Sequence, residues 1–369
     1  MTEAVFVVSK NPFGSVQDGE TRITRLLLEA AAQSCEVRVV ALTTTSDAAR
    51  PDVVGVAKPP VRLARLAAAS IARRRSLIHL RFAPSSLRRA LAEIPADVLV
   101  ARRVYMAEAA IDAGRIPPRD RLVALVDVLE SMVLGRRRSR LAPLLSLEAR
   151  RTRRDEIRCL ATASRSAFLS DTEMQELGRF APAASRLDLI LPPADRRAPL
   201  DDRLALFVGD RRWPPNAEAL ARLGALWPRI ADRAPGARLV VAGAPGPAER
   251  PVPGPDAQVV GYVDDLDSLW RRAGVLVAPV PIGGGVRVKV LDAARHGVPV
   301  VGTAEAIGST HRYLPLAPAS TDEEFVDAAS ALLADAGERR RRGSALYERN
   351  MELDSEGFVA RQLAALLAA

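Results

Sequence analysis

Cysteine and histidine are nearly missing from this 369-residue chain: Cys35 and Cys159 are its only cysteines, and His79, His296 and His311 its only histidines. Two cysteines cannot build a disulfide scaffold or a Cys-rich zinc site, and they fit a reducing, cytoplasmic compartment. With neither HExxH nor CxxC spacing, no resident metal is expected. Aromatic residues make up only 4%, which leaves Ala, Leu and Val to build the core. No run of 18 or more uncharged apolar residues occurs, so no segment is expected to span a membrane. The start, MTEAVFVVSK, lacks the basic region and long apolar run of a signal peptide. Lysine is scarce too, with three against 50 arginines.

What is there is ordinary in bulk and uneven in charge. The chain is 48% hydrophobic and 26% charged, as a folded soluble domain should be, and its length suits two domains. Residues 1–200 hold 33 basic against 22 acidic side chains and the remainder 20 against 22, so the net +9 comes entirely from the first part. Arg136, Arg137, Arg138 and Arg140 form one cluster, and Arg150, Arg151, Arg153 and Arg154 another. Such a field suits an anionic or lipid-linked partner, peripheral contact with the inner face of a membrane, or simple solvation. Nucleic acid is not the expected partner, because only Phe82 and Tyr105 lie near the basic stretches and stacking needs aromatics.

Apolar runs at 4–8, 36–42, 98–101 and 122–127 alternate with helical spacing such as Ile23, Leu26, Leu27 and Ala30. This is the pattern of a parallel sheet flanked by helices. A long arginine-studded helix is expected over 141–160, and further strands over 167–169 and 187–191. A Pro-rich stretch at 192–202 then reads as a linker. Beyond it the alternation restarts, with strands at 204–208, 238–242, 258–261, 275–278 and 299–302 and helices between them. Two doubly wound α/β domains in tandem are therefore expected.

The segment VLVAPVPIGGGVRVKVLDAARHGVPVVG, residues 275–302, is the most informative. A strand gives way to Gly283, Gly284 and Gly285, and the next helix is expected to begin at Val286. Glycines let a backbone approach an anion, and free N–H groups at a helix start attract phosphate. The segment is neither a Walker A loop nor GxGxxG. Lys289, in the expected first turn, offers a point charge to a diphosphate. Spacing puts Gly285, Lys289, Asp292 and His296 on one stripe. A glycine turn with a surface Lys–Asp pair fits the same spacing. His296, before Gly297, reads as a helix C-terminal residue.

This segment resembles the donor-binding region of the retaining GT-B glycosyltransferases of family four, the glycogen-synthase-like group. FVGDRRWPPNAEAL (207–220), GYVDDLDSLWRRAGVLVAPV (261–280) and GGGVRVKVLDAARHGVPVV (283–301) resemble family stretches in order. VDVLES (126–131), LSDTEMQEL (169–177) and Gly19 with Arg22 resemble stretches of the family's first half.

The resemblance implies two Rossmann-like domains facing across a cleft: an acceptor domain over 1–195, a nucleotide-sugar domain over 200–350, and a final helix, 355–369, packing back on the first. It implies transfer of a sugar from a nucleotide-diphosphate donor with retention and without a metal or other cofactor. Arg212 or Arg211 with Lys289 would hold the diphosphate, helped by N–H groups of Gly284, Gly285 and Val286. Gly209, Gly283 and Val290 would line the donor, the backbone of Tyr262 and Val263 would face the base, and Asp292 would bind the ribose. Gly19 and Arg22 would lie on the acceptor side. Asp127, at an expected strand end, would meet the sugar or the acceptor, or cap the next helix. The family's first donor-site glutamate falls on Gly284, which has no side chain. A nucleotide-sugar epimerase, a pseudo-glycosyl coupling enzyme and a catalytically weak nucleotide-sugar-binding protein are the alternatives.

Overall fold

Short runs of Val, Leu and Ala become strands because a parallel sheet, covered on both faces by helices, leaves no polar side to alternate with. The computed structural model describes residues 2–14, 18–43, 50–117, 121–135, 142–200, 202–246 and 256–368. The chain divides into two units, one comprising Met1–Asp188, Gly284–Val286 and Val359–Ala369, the other Leu189–Gly283 and Arg287–Phe358.

The first unit holds β1 (Glu3–Val8), β2 (Glu36–Thr43), β3 (Val53–Ala57), β4 (Val98–Arg102), β5 (Arg121–Val126), β6 (Arg165–Phe168) and β7 (Ala184–Arg186). Their order is β3-β2-β1-β4-β5-β6-β7, all parallel. Val5, Val7, Leu99, Leu122 and Val126 build its core. The helix Gly19–Ala31 starts cleanly because Asp18 and Thr21 form a reciprocal capping box. The second unit holds β8 (Leu204–Val208), β9 (Arg238–Ala242), β10 (Ala257–Gly261), β11 (Val275–Ala278) and β12 (Val300–Gly302), ordered β10-β9-β8-β11-β12 and again parallel. Phe207, Leu223, Trp227, Val277 and Phe325 fill its core.

In both sheets the chain order reverses beside the first strand, between β1 and β4 and between β8 and β11. Loops leaving the carboxyl ends of strands at such a switch point diverge and leave room for a ligand.

Three expectations need correction. Residues 187–191 form no strand, although Leu187, Leu189, Ile190 and Leu191 are buried. Side chains serve that backbone: Tyr313 Oη donates to the Leu189 carbonyl at 2.8 Å and Asn350 Nδ2 to that of Leu191 at 3.0 Å. The glycine-turn helix runs over Val288–His296, so it does not begin at Val286. Gly285 has φ of 70°, which a right-handed helix excludes, so it leaves the stripe. The last helix runs over Phe358–Leu367. Arg136, Arg137, Arg138 and Arg140 lie outside the described residues.

Candidate functional site

In the second unit, β8 and β11 deliver the residues singled out by sequence to the switch point. Gly209 follows β8 directly, and a Cβ there would lie 2.7 Å from Asn216 Cγ. That close approach lets Asn216 turn inward. Its Nδ2 donates to the Asp210 carbonyl at 2.9 Å, and its Oδ1 accepts from Lys289 Nζ at 2.9 Å. Lys289, half-buried in the helix Val288–His296, also stands 5.3 Å over the Phe207 ring. Burial, assisted by the charge of Arg287, pulls its pKa down from the usual 10.5 to about 8. An ammonium kept among a neutral amide, a ring and another cation is poised to accept an anion.

Asn216 was not singled out from the sequence, where it lies within the stretch FVGDRRWPPNAEAL (207–220). Its sole signal is the pairing of Asn216 with Gly209, and that pairing exists only after folding.

The two arginines part company. Arg211 is 1% exposed, whereas Arg212 is exposed and clasped by Asp210, with Nη2 2.6 Å from Oδ2. That clasp holds the Asp210 carboxyl below its usual range. Tyr262 is exposed, Val263 half-buried and Val290 buried. Gly283 faces the Glu305 carbonyl and the Arg287 guanidinium, either of which a Cβ would crowd. Asp292 is buried on the same helix as Lys289, and His296 pairs with Asp267 at 3.2 Å and stacks on Trp270.

In the first unit, the tripeptide Gly284–Val286 meets two carboxyl groups. Glu173 Oε1 accepts the Gly285 N–H at 3.0 Å, and Asp127 Oδ1 accepts that of Val286 at 2.9 Å. Asp127 follows β5 and pairs with Arg102 Nη2 at 3.1 Å. Burial alone would raise its pKa, but Arg102, Arg103 and the Val286 N–H outweigh it and hold the carboxyl below its usual value.

Beside it, at the ends of β1 and β4, a charged network is assembled. Lys10 reaches Asp18 at 2.6 Å and Glu20 at 3.1 Å, and Arg103 reaches Glu20 at 3.3 Å and Glu130 at 3.2 Å. Burial would raise the pKa of Glu20, but Arg103, the Ser9 hydroxyl and Lys10 hold it low. Arg103 adopts φ of 81°, a strained conformation for a side chain of its size. Gly19 opens the adjacent helix, exposed, and Arg22 lies half-buried one turn on.

Elsewhere in this unit, His79, Glu108 and Cys159 come together, buried, with Nδ1 of His79 2.9 Å from Glu108. Arg158 donates to Glu108, and Arg75 lies 3.9 Å from it. Burial, with Glu108 beside it, pushes the Cys159 thiol well above its usual pKa. The cluster is a charge-balanced core network around a protonated thiol.

Residues 202–335 match the family model described as glycosyl transferases group 1. At the level of sequence, no curated protein matches the chain. Among solved structures, sucrose-phosphate synthase from Thermosynechococcus elongatus is similar at TM-score 0.70 and 19% identity, covering 99% of this chain and 98% of that one. The lipopolysaccharide glycosyltransferase WaaG is similar at 0.63 and 15%, covering 99% and 100%. HepE from Anabaena, solved with UDP-glucose, is similar at 0.62 and 12%, covering 100% and 98%. Residues 202–335 are thus similar to the glycosyl transferases of group 1, and the chain as a whole shares the GT-B fold of these solved structures.

Proposed function

We propose that this protein moves a sugar from a nucleoside-diphosphate sugar to an acceptor hydroxyl, with retention of anomeric configuration and without a metal. One observation carries the reading: Lys289 is a half-buried ammonium with a depressed pKa, held by Asn216 beside a glycine turn at a sheet's switch point. Among the described residues this ammonium has no carboxylate partner, and a nucleoside diphosphate supplies an anion to it. The matched family model spans this segment, and HepE is solved with UDP-glucose.

In this reading Lys289 and Arg212, released from Asp210, neutralise the leaving diphosphate, and the glycine N–H groups join them. The departing oxygen takes the acceptor's proton, so the protein contributes positioning and electrostatics rather than a nucleophile. Gly209, Arg211, Gly283 and Val290 shape the donor pocket, and Tyr262 and Val263 take the base.

The first unit takes the acceptor near Asp127, Gly19 and Arg22, in a cytoplasmic protein able to rest on an anionic membrane face. Exposed Leu63 and Ile71, flanked by exposed Arg62, Arg65, Arg73 and Arg74 on and beside the helix Leu63–Arg73, suit a lipid-linked acceptor. On the helix Ala142–Thr162, Arg153 instead pairs with Glu176 and Arg154 with the Arg74 carbonyl.

Thermal-shift titration with UDP, GDP, TDP and ADP sugars, with and without chelator, tests the donor. One nucleotide family should stabilise the fold by about 2.7 kcal/mol at a hundredfold excess over Kd, equally in chelator. No shift with any of them overturns the proposal, and anomeric NMR of the product checks retention. Asp292 adds a second expectation, because it lies three residues beyond Lys289 on one helix. Asp292→Ala should weaken nucleoside diphosphates about tenfold and leave pyrophosphate unchanged. Equal loss for both ligands would mean that Asp292 serves structure and not ribose.

A further inference from the structure

The N–H groups that a diphosphate would use in the glycine turn already carry anions from the protein itself. Gly285 donates to Glu173 and Val286 to Asp127, at 3.0 and 2.9 Å. Both acids come from strand ends of the first unit's sheet: Asp127 follows β5, and Glu173 opens the helix Asp171–Leu177 after β6. Each is buried, Glu173 at 1% and Asp127 at 7% exposure.

The turn is shaped to receive them. A Cβ on Gly284 would stand 2.5 Å from Glu173 Oε1, and one on Gly285 would stand 2.9 Å from Asp127 Oδ1. Glycine at both positions is what lets the two carboxyl groups close on the backbone. Burying a carboxyl is costly unless it is well partnered. Arg102 balances Asp127, and the turn's N–H groups complete the arrangement.

We propose that Glu173 and Asp127 form a latch that occupies the anion-binding N–H groups of the glycine turn in the ligand-free protein. The donor's diphosphate must displace it, and the latch reclaims those groups as the nucleoside diphosphate departs. The inference rests on the donor reading above. A backbone N–H cannot serve a carboxyl oxygen and a phosphate oxygen at full strength together, and the two anions repel. Binding of diphosphate and closure of the latch therefore compete, and loss of the latch tightens the product. Lys289 lies outside this competition, since among the described residues its ammonium bonds Asn216 and no carboxyl group.

The test uses full-length protein and two readouts. In the ligand-free state, amide hydrogen exchange at Gly285 should quicken in Glu173→Ala, which reports the latch without any nucleotide. UDP, GDP, TDP and ADP should then bind this variant about tenfold more tightly than wild type, for whichever of them the wild type binds. Gly284→Ala, which pushes Glu173 aside without removing it, should shift both readouts the same way and covers the case in which Glu173→Ala fails to fold. Unchanged exchange at Gly285 in both variants, or equal or weaker diphosphate binding despite faster exchange, overturns the latch. A wild type that binds no nucleotide overturns the donor reading instead, and faster exchange in the variants then still registers the contact.

Discussion

Lys289→Ala should weaken nucleoside diphosphate binding about 10–150-fold, the worth of a charge-assisted hydrogen bond of roughly 1.5–3 kcal/mol. The fold should survive, because among the described residues the side chain hydrogen-bonds to the Asn216 amide alone, itself already held by the Asp210 carbonyl. The pH dependence is more diagnostic. With a pKa near 8, the ammonium discharges in the mildly alkaline range, so affinity should be flat below about pH 7 and fall as pH rises through about 8. Stability should move the other way. Between about 8 and the usual 10.5, the unfolded chain holds a proton that the folded chain has lost, and stability therefore rises with pH over that window. Lys289→Arg keeps its charge at every working pH and should abolish the alkaline fall in affinity. Isothermal titration from pH 6 to 9.5 on wild type and both variants decides this; an unchanged affinity in Lys289→Ala would remove Lys289 from the site.

Lys289 was legible because composition isolates it: one of three lysines, placed just after a glycine turn that follows a buried strand. The central strands were equally legible, since β8 and β11 are unbroken apolar runs of the kind that burial on both faces explains. Edges were harder. β3 reads VVGVA, a short apolar run interrupted by Gly55, and with only Val56 buried among its five residues it lacks the continuous buried stretch that marks a central strand. At 187–191 the apolar run was real but its meaning was not: apolar residues report burial, while a strand also needs backbone partners, and Tyr313 and Asn350 took two of those places. Partnerships between distant residues were invisible for the same reason. Asn216 under Lys289, and Glu173 beside Gly284, are separated by 73 and 111 positions. No local pattern links them, although the vacancy at Gly284 marked the point where a tertiary neighbour would enter.

Removing residues 359–369 should cost the first unit most of its stability. Val359, Leu363, Leu366 and Leu367 are all at most 7% exposed and recur at helical spacing along one face of the helix Phe358–Leu367. At about 1.5–3 kcal/mol each, their burial is worth roughly 6–12 kcal/mol, an upper figure because the unfolded chain is itself partly collapsed. A typical domain has only about 5–15 kcal/mol to lose. Polar contacts fix the helix in place. Gln362 bonds both the N–H and the carbonyl of Asp188, each at 3.0 Å. The final carbonyls, which no helix can satisfy internally, accept from Arg121 at Leu367 and Ala368 and from Arg165 at Ala365, Leu366 and Ala368. Positive charge at a helix C-terminus also opposes the macrodipole. Even a loss of 3 kcal/mol would lower Tm by about 6–12 °C for a unit of this size. The truncated chain should therefore melt well below the full-length protein and lose any transfer activity with its fold. Arg121→Ala/Arg165→Ala, which leaves the apolar face intact, should melt between the two. Scanning calorimetry on the three proteins gives the order, and a truncated chain melting within 2 °C of full length would show that the helix contributes nothing to the unit.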